Sequence, residues 1–225
     1  MRKKRIALLA VGAGCLMLSA GAVTADKLIS AKITARVQSE LPKASGIKAS
    51  MPLLDVPRNL LTGSVKSANI KIANYSLKGS ETAVSLAIRA KNISKTDPAI
   101  VGALEITATI PAATILKSAE FQNAEIIGKT LQISVGAGGF GKALLVPKFS
   151  NNQIFFQLQS VSVLGNPIPA SSLPSDIQSR IKSKSVRELN VPKGLKLKSL
   201  SLSPKGLSVN FRGTNIQLGK LGSSL

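Results

Sequence analysis

The stretch that most constrains this chain is its C-terminal segment, residues 186 to 218, VRELNVPKGLKLKSLSLSPKGLSVNFRGTNIQL. Apolar and polar residues alternate through Leu195, Lys196, Leu197 and Lys198, and again through Leu200, Ser201 and Leu202. A Ser203-Pro204-Lys205-Gly206 turn follows, and the alternation resumes at Leu207, Val209 and Phe211. Period-two alternation on both sides of a Pro/Gly turn predicts a β-hairpin with one apolar and one wet face. The parity slips between Leu197 and Leu200, which predicts a bulge at Lys198–Ser199 that bends the strand. A long bent hairpin with one apolar side must cover something apolar, and the rest of the chain has to supply it.

Upstream the same period recurs. Val84, Leu86 and Ile88 alternate with Ser85, Ala87 and Arg89, and Leu104, Ile106, Ala108 and Ile110 alternate with Glu105, Thr107 and Thr109. Val65, Ser67 and Asn69 share one parity before Ile70, Ile72 and Leu77 shift it. Leu131 to Val135 and Gln153 to Val163 read as further strands. Asp26 to Leu41 has helical period instead: Ile29, Ile33 and Val37 recur every four residues, and Pro42 stops the run. That helix is expected either to dock on the sheet or to lie on a bilayer. Pro111 opens a short helix, Ala112 to Leu116. Ser175 and Gln178 form a capping box for another, with Ile177 and Ile181 inward and Arg180, Lys182 and Lys184 near its end. The glycosylation-like triplets Asn74-Tyr75-Ser76 and Asn92-Ile93-Ser94 read as turns. A helix, then strands with brief helices inserted, then a hairpin, gives an α+β domain with an antiparallel sheet over residues 26–218. Residues 1–25 form a leader and 219–225 a tail.

The leader, MRKKRIALLAVGAGCLMLSAGAVTA, sets four cations before an apolar run from Ile6 to Ala25. This is an export signal, and its fate is open. Val23-Thr24-Ala25 before Asp26 fits a cleavage site, while about 20 apolar residues also suffice for a retained anchor. A lipobox at Cys15 fits less well, because the third residue before the cysteine is not aliphatic. Each fate places the domain outside the cytoplasm and beside a membrane.

Composition then removes whole classes of chemistry. The chain has no His and no Trp, and its single Cys lies in the leader. Disulfides within the chain, His/Cys metal sites and imidazole bases are therefore excluded, and no metal or cofactor is expected. Aromatics are 3% against 44% hydrophobic residues, so the core is built from Leu, Ile, Val and Ala. The formal net charge is +20. A field of that sign attracts polyanions, whether nucleic acid, anionic headgroups or wall polymers.

One motif is deceptive. Gly136-Ala137-Gly138-Gly139-Phe140-Gly141-Lys142-Ala143 satisfies the dinucleotide spacing G-x-G-x-x-G and nearly satisfies the P-loop. Both motifs need a helix whose N-terminus faces phosphate, and Lys142 to Pro147 is short and β-rich. Ala143 offers no hydroxyl for magnesium, and no Asp or Glu follows until Asp176. A glycine-rich hairpin loop is expected.

Two stretches carry a family resemblance. Val191-Pro192-x-Gly194-Leu195, Gly206-Leu207, Gly213 and Leu218 resemble the C-terminal signature of the LmeA-like phospholipid-binding family of bacterial envelope proteins. Met51-Pro52-Leu53-Leu54 and Leu60-Leu61-x-Gly63 resemble that family's Pro-hydrophobic helix and the glycine opening its next strand. The resemblance spans roughly residues 26 to 218. It implies a tubular lipid-binding fold, with a long curved antiparallel sheet wrapped on the N-terminal helix. It also implies phospholipid binding in the envelope and, more remotely, a part in envelope glycolipid biosynthesis or lipid transfer.

Three functions compete. An enzyme would need a positioned nucleophile or acid/base pair; the chain has no G-x-S-x-G, and its ten carboxylates are scattered. The expectation is that it is not an enzyme and has no catalytic residues. Nucleic-acid binding would call for aromatic platforms or a basic recognition helix, and export removes the usual partner. Binding of anionic phospholipids at a membrane surface fits best. Arg58, Lys66, Lys71, Lys193, Lys196 and Lys198 are the candidates for headgroup attraction. Leu53, Leu54, Leu60 and Leu61 are placed at the mouth of an acyl groove, because that Pro-broken segment is too apolar for a free loop; Ile115 and Leu116 are the second choice. The alternative is a non-enzymatic envelope scaffold binding anionic wall polymers or the membrane surface, its apolar interior an ordinary filled core.

Overall fold

The computed structural model describes residues 5–6, 31, 34–35, 37–39, 41–50, 64–76, 83–94, 96, 99–118, 123–135, 141–189, 191 and 193–217. The strands are β1 (Arg5–Ile6), β2 (Ala44–Ser50), β3 (Ser64–Ser76), β4 (Ala83–Ser94), β5 (Ile100–Pro111), β6 (Glu125–Ile127) and β7 (Thr130–Val135). They continue with β8 (Gly141–Ser150), β9 (Gln153–Val163), β10 (Asn166–Pro169), β11 (Arg187–Leu189), β12 (Lys196–Ser203) and β13 (Gly206–Gln217). Helices α1 (Ala112–Ser118) and α2 (Ser175–Ser185) interrupt them. One seven-stranded sheet runs β1-β11-β9-β8-β7-β6 with β10 also on β9, and a six-stranded sheet runs β12-β13-β5-β4-β3-β2.

This architecture corrects the expected fold. The chain is mostly antiparallel β, 69% strand and 15% helix in three short helices, and among the described residues there is no long N-terminal helix wrapped by a sheet. The N-terminal stripe does form helix, at Ala31, Thr34, Ala35 and Val37 to Ser39. It ends where the Leu41 N–H closes on the Val37 carbonyl at 2.9 Å. Val37 and Leu41 are buried, so this end of the helix is packed into the core. Strands of 12 and 13 residues bring far more apolar surface than this one helix, and they bury it by forming two sheets. Among the described residues no helix is long and apolar enough to cross a membrane; the apolar run of the leader beyond Ile6 lies outside them.

The chain divides into two compact units. The first comprises Met1–Ile6, Thr109–Asn190 and Leu200–Ser208; the second comprises Ala7–Ala108, Val191–Ser199 and Val209–Leu225.

In the first unit the seven-stranded sheet buries Leu131, Ile133, Ala143, Leu145, Ile154 and Leu158. The glycine-rich segment joins β7 to β8: Val135 pairs with Gly141 in an antiparallel ladder, and strand rather than helix follows. Helix α2 meets the edge of β9 through Ser185, which is 8% exposed. Its hydroxyl accepts from the Phe156 N–H at 2.9 Å and lies 3.3 Å from the Phe156 carbonyl and 3.0 Å from that of Lys182. The expected capping box at Ser175 does not form. Pro174 is the N-cap and no side chain caps the helix; the Gln178 amide donates back to the Ala170 and Leu173 carbonyls at 2.8 and 3.2 Å. A glutamine side chain can satisfy carbonyls as well as N–H groups, and here the preceding turn offers the carbonyls. Ile181 is half-buried. The Pro/Gly turn of the C-terminal hairpin also belongs here. Gly206 has φ 131°, and a Cβ on it would collide with the Ile110 carbonyl, so glycine is required at that crossing.

In the second unit β4 buries Val84, Leu86, Ile88 and Ala90. Strand β3 buries Ala68, Ile70 and Ile72, β5 buries Leu104, Ile106 and Ala108, and β13 buries Val209 and Phe211. Each strand then changes the parity of its buried residues. The buried set jumps from Ala68 to Val65 in β3, from Ala90 to Ile93 in β4, from Leu104 to Val101 in β5, and from Gly213 to Ile216 in β13. In β4 and β13 the jump is carried by asparagines in the left-handed region, Asn92 at φ 53° and Asn215 at φ 52°. Gly102 faces Asn92 so closely that a Cβ would sit 3.0 Å from the Asn92 Cβ. The triplets containing Asn74 and Asn92 are therefore strand residues, not turns. Asparagine supplies turn-like backbone inside a strand, and the strand absorbs it as an irregularity. A second irregularity, the register shift between Ile72 and Tyr75, brackets Asn74. On β12 the pattern matches expectation: Leu197 is turned in, Lys198 and Ser199 are both exposed, and Leu200 resumes the inward set with the opposite parity.

Candidate functional site

The polar rows of the six-stranded sheet within the second unit gather one kind of charge. If 68, 70 and 72 are buried on β3, then 67, 69 and 71 point outward, and the register carries this across the sheet. Lys48 of β2 stands opposite Lys71 of β3, which stands opposite Ala87 of β4. One row on, Ser50, Asn69 and Arg89 are level, and beyond them Ser67 faces Lys91. Like charges directly opposite on neighbouring strands cost stability, so the Lys48–Lys71 pair asks for an anion between or above them.

Across β5 and β13 the row is organised by Glu105. Its carboxylate accepts from the Asn210 amide at 3.0 Å, and the same amide donates to Thr107 Oγ1 at 2.8 Å. The Glu105 carboxyl is held below its ordinary value by that Asn210 hydrogen bond and by the charges of Arg212, Lys198 and Arg89; partial burial opposes them. Cations from β4, β13 and β12 thus converge on one carboxylate. The Asn210 Oδ1 has no hydrogen-bond partner among the described residues.

The described residues of this unit carry ten cations, Lys43, Lys48, Lys66, Lys71, Arg89, Lys91, Lys193, Lys196, Lys198 and Arg212, against Glu105 alone; all ten cations are exposed. Between them lie Ser, Thr, Asn and Ala, side chains short enough to let phosphate oxygens reach the charged heads. Phe211 is fully buried beneath and cannot stack on a ligand. The arrangement can hold a polyanion by charge and hydrogen bonds. Among the described residues no group of three or more His, Cys, Asp or Glu could hold a metal ion.

Of the headgroup residues expected from sequence, Lys71, Lys196 and Lys198 lie on these outward rows, Lys193 is exposed in the turn before β12, and Lys66 is exposed at the parity change of β3. Arg58, Leu53, Leu54, Leu60 and Leu61 lie outside the described residues. In the first unit, Ile115 of α1 is 7% exposed and Leu116 half-buried, so Ile115 is core. Sequence reasoning missed Lys48, Arg89, Lys91 and Arg212. Parity marked Arg89 as outward, opposite Ile88, but only the register shows that it shares a face with Lys71; Arg212, next to buried Phe211, joins them through its charge on Glu105. Comparison with known proteins brings no relative to bear on this face: no family model, no curated protein and no solved structure matches the chain.

Proposed function

We propose that this is an extracytoplasmic, non-enzymatic protein that binds anionic phospholipid, with the cationic face of the six-stranded sheet as its headgroup surface. One observation carries the reading: ten exposed cations against one carboxylate among the described residues of one unit, with Lys48 and Lys71 set directly opposite. Each cation near an anionic surface is worth about 1 kcal/mol, screened over a Debye length of about 8 Å at physiological salt. The leader would deliver the domain beside such a surface, and the resemblance to the LmeA-like family points to the same ligand. In this reading acyl chains enter beside the Pro-broken segment carrying Leu53, Leu54, Leu60 and Leu61.

Vesicle flotation tests it. Phosphatidylglycerol vesicles should carry the chain and phosphatidylcholine vesicles should not, with binding falling as salt rises. Reversing Lys71, Arg89 and Arg212 to Glu together should weaken binding by about 100-fold or more, at roughly 1 kcal/mol per lost cation. Reversal of Lys129, exposed on the β6–β7 turn, should do far less. Equal binding to both vesicles, or indifference to the triple reversal, refutes the reading in favour of a wall-polymer scaffold.

A further inference from the structure

We propose that the turn between β9 and β10 is a bilayer-penetrating tip, with Leu164 as the inserted side chain. Among the described residues six besides glycine have positive φ: Asn92, Asn123, Asn151, Asn152, Asn215 and Leu164. Five are asparagine, whose short polar side chain tolerates the left-handed region. Leu164, at φ 49°, does not belong to that set by chemistry. The β8–β9 turn of the same sheet solves the same problem in the favoured way, with Asn151 at φ 50° and Asn152 at φ 56°. The β9–β10 turn uses Leu164 and then Gly165 at φ 87°.

Packing does not account for the leucine either. Leu164 is 77% exposed and Val163 beside it 42%. An apolar side chain in a disfavoured backbone region, without burial in return, points to a use outside the fold.

Charge identifies the partner. From Thr130 to Pro169, which spans β7 to β10, the sequence contains Lys142 and Lys148 and no Asp or Glu. Lys142 is exposed and pairs with Ser162, one step from the Gly141–Val163 pair at the tip. Leucine at the acyl boundary with lysine at headgroup level is how a protein meets an anionic bilayer. A second copy of the chain is a poor partner, since each copy carries +20. The inference rests on the phospholipid reading and adds to surface attraction a point of penetration in the other unit.

The chain has no tryptophan, so a single one introduced into the full chain reports its own position. With phosphatidylglycerol vesicles, the emission of Leu164→Trp should shift to the blue and be quenched by brominated acyl chains. Lys129→Trp, at the far end of β7 from this turn, should show neither effect. Leu164→Asn should melt no lower than the parent and bind the vesicles about tenfold more weakly, the low end of the gain from burying a leucine. Three results overturn the tip: an unshifted Leu164→Trp on vesicles that pellet it, equal responses from the two tryptophans, or full-strength binding by Leu164→Asn. Those results leave the phospholipid reading standing if the vesicles still pellet the chain. If they do not pellet it at all, both fall.

Discussion

Replacing Ser185 with alanine tests how the seven-stranded sheet closes its edge. Backbone N–H and C=O of one strand residue point to the same side, and both groups of Phe156 face the Ser185 hydroxyl. On β8 the residue level with Phe156 is Pro147, and because both Phe156 groups point away from it this is a non-hydrogen-bonded pair, so β8 supplies no partner for either group. Strand β11 pairs with β9 only at Ile154 and Gln153, so it stops short of Phe156. The serine therefore stands in for a strand, and it is only 8% exposed, too little for water to take its place freely. A buried donor left unsatisfied costs about 1–3 kcal/mol, so Ser185→Ala should destabilise the chain by about 2 kcal/mol. For a chain of this size that is a drop of about 4–8 °C in Tm, measured by far-UV circular dichroism. Ser185→Thr, which keeps the hydroxyl, should recover most of it. Amide hydrogen exchange gives the local readout: Phe156 should lose protection in the alanine variant while Leu131 and Leu145 keep theirs. An unchanged Tm together with an unchanged Phe156 amide would refute the assignment.

Gly206→Ala should cost about 3 kcal/mol, from a strained positive φ and a collision with the Ile110 carbonyl, and should show as a lower midpoint in urea. Glu105→Gln should flatten the acid limb of the stability curve. The native carboxyl of Glu105 lies below its ordinary 4.5, so its contribution is whole above that value and is lost as pH falls through the lower native one. Urea midpoints for parent and variant should converge on acidification below 4.5; a constant gap would refute the linkage.

The hairpin and the central strands were legible because their apolar residues alternate without ambiguity. Leu104, Ile106 and Ala108 are buried as their period requires, and even the slip at Lys198–Ser199 shows in the sequence. Strand β2 was not legible. Ala44 to Ser50 holds one large apolar residue, Ile47, and a glycine at φ 65°, so nothing local marks it as a strand. Its pairing with β3 is what places Lys48 opposite Lys71. The charged face escaped for the same reason: Arg89 can be read as outward from its own strand and Lys48 cannot, and in both cases their company is a matter of register. The wrapped-helix architecture failed because periodicity reports that a helix exists, not how much of the core it covers. The asparagines misled because their preference for left-handed backbone is real, and here it is used in mid-strand.

The parity changes of β3, β4, β5 and β13 also limit how this protein can vary in length. Ser67 and Lys91 are level across β3 and β4, and Gly102 lies against Asn92, so at least three of the four changes fall on one line. Counting along β5 and β13 from the Thr107–Asn210 contact brings Gly102 level with Asn215. Adding or deleting a residue in one of these strands would return that strand to the wrong side while its neighbours stayed as they were. Insertions should therefore be tolerated at hairpin ends such as Asn151–Asn152 and rejected within the line. Homologous chains should show the two asparagines and the glycine shifting together or not at all.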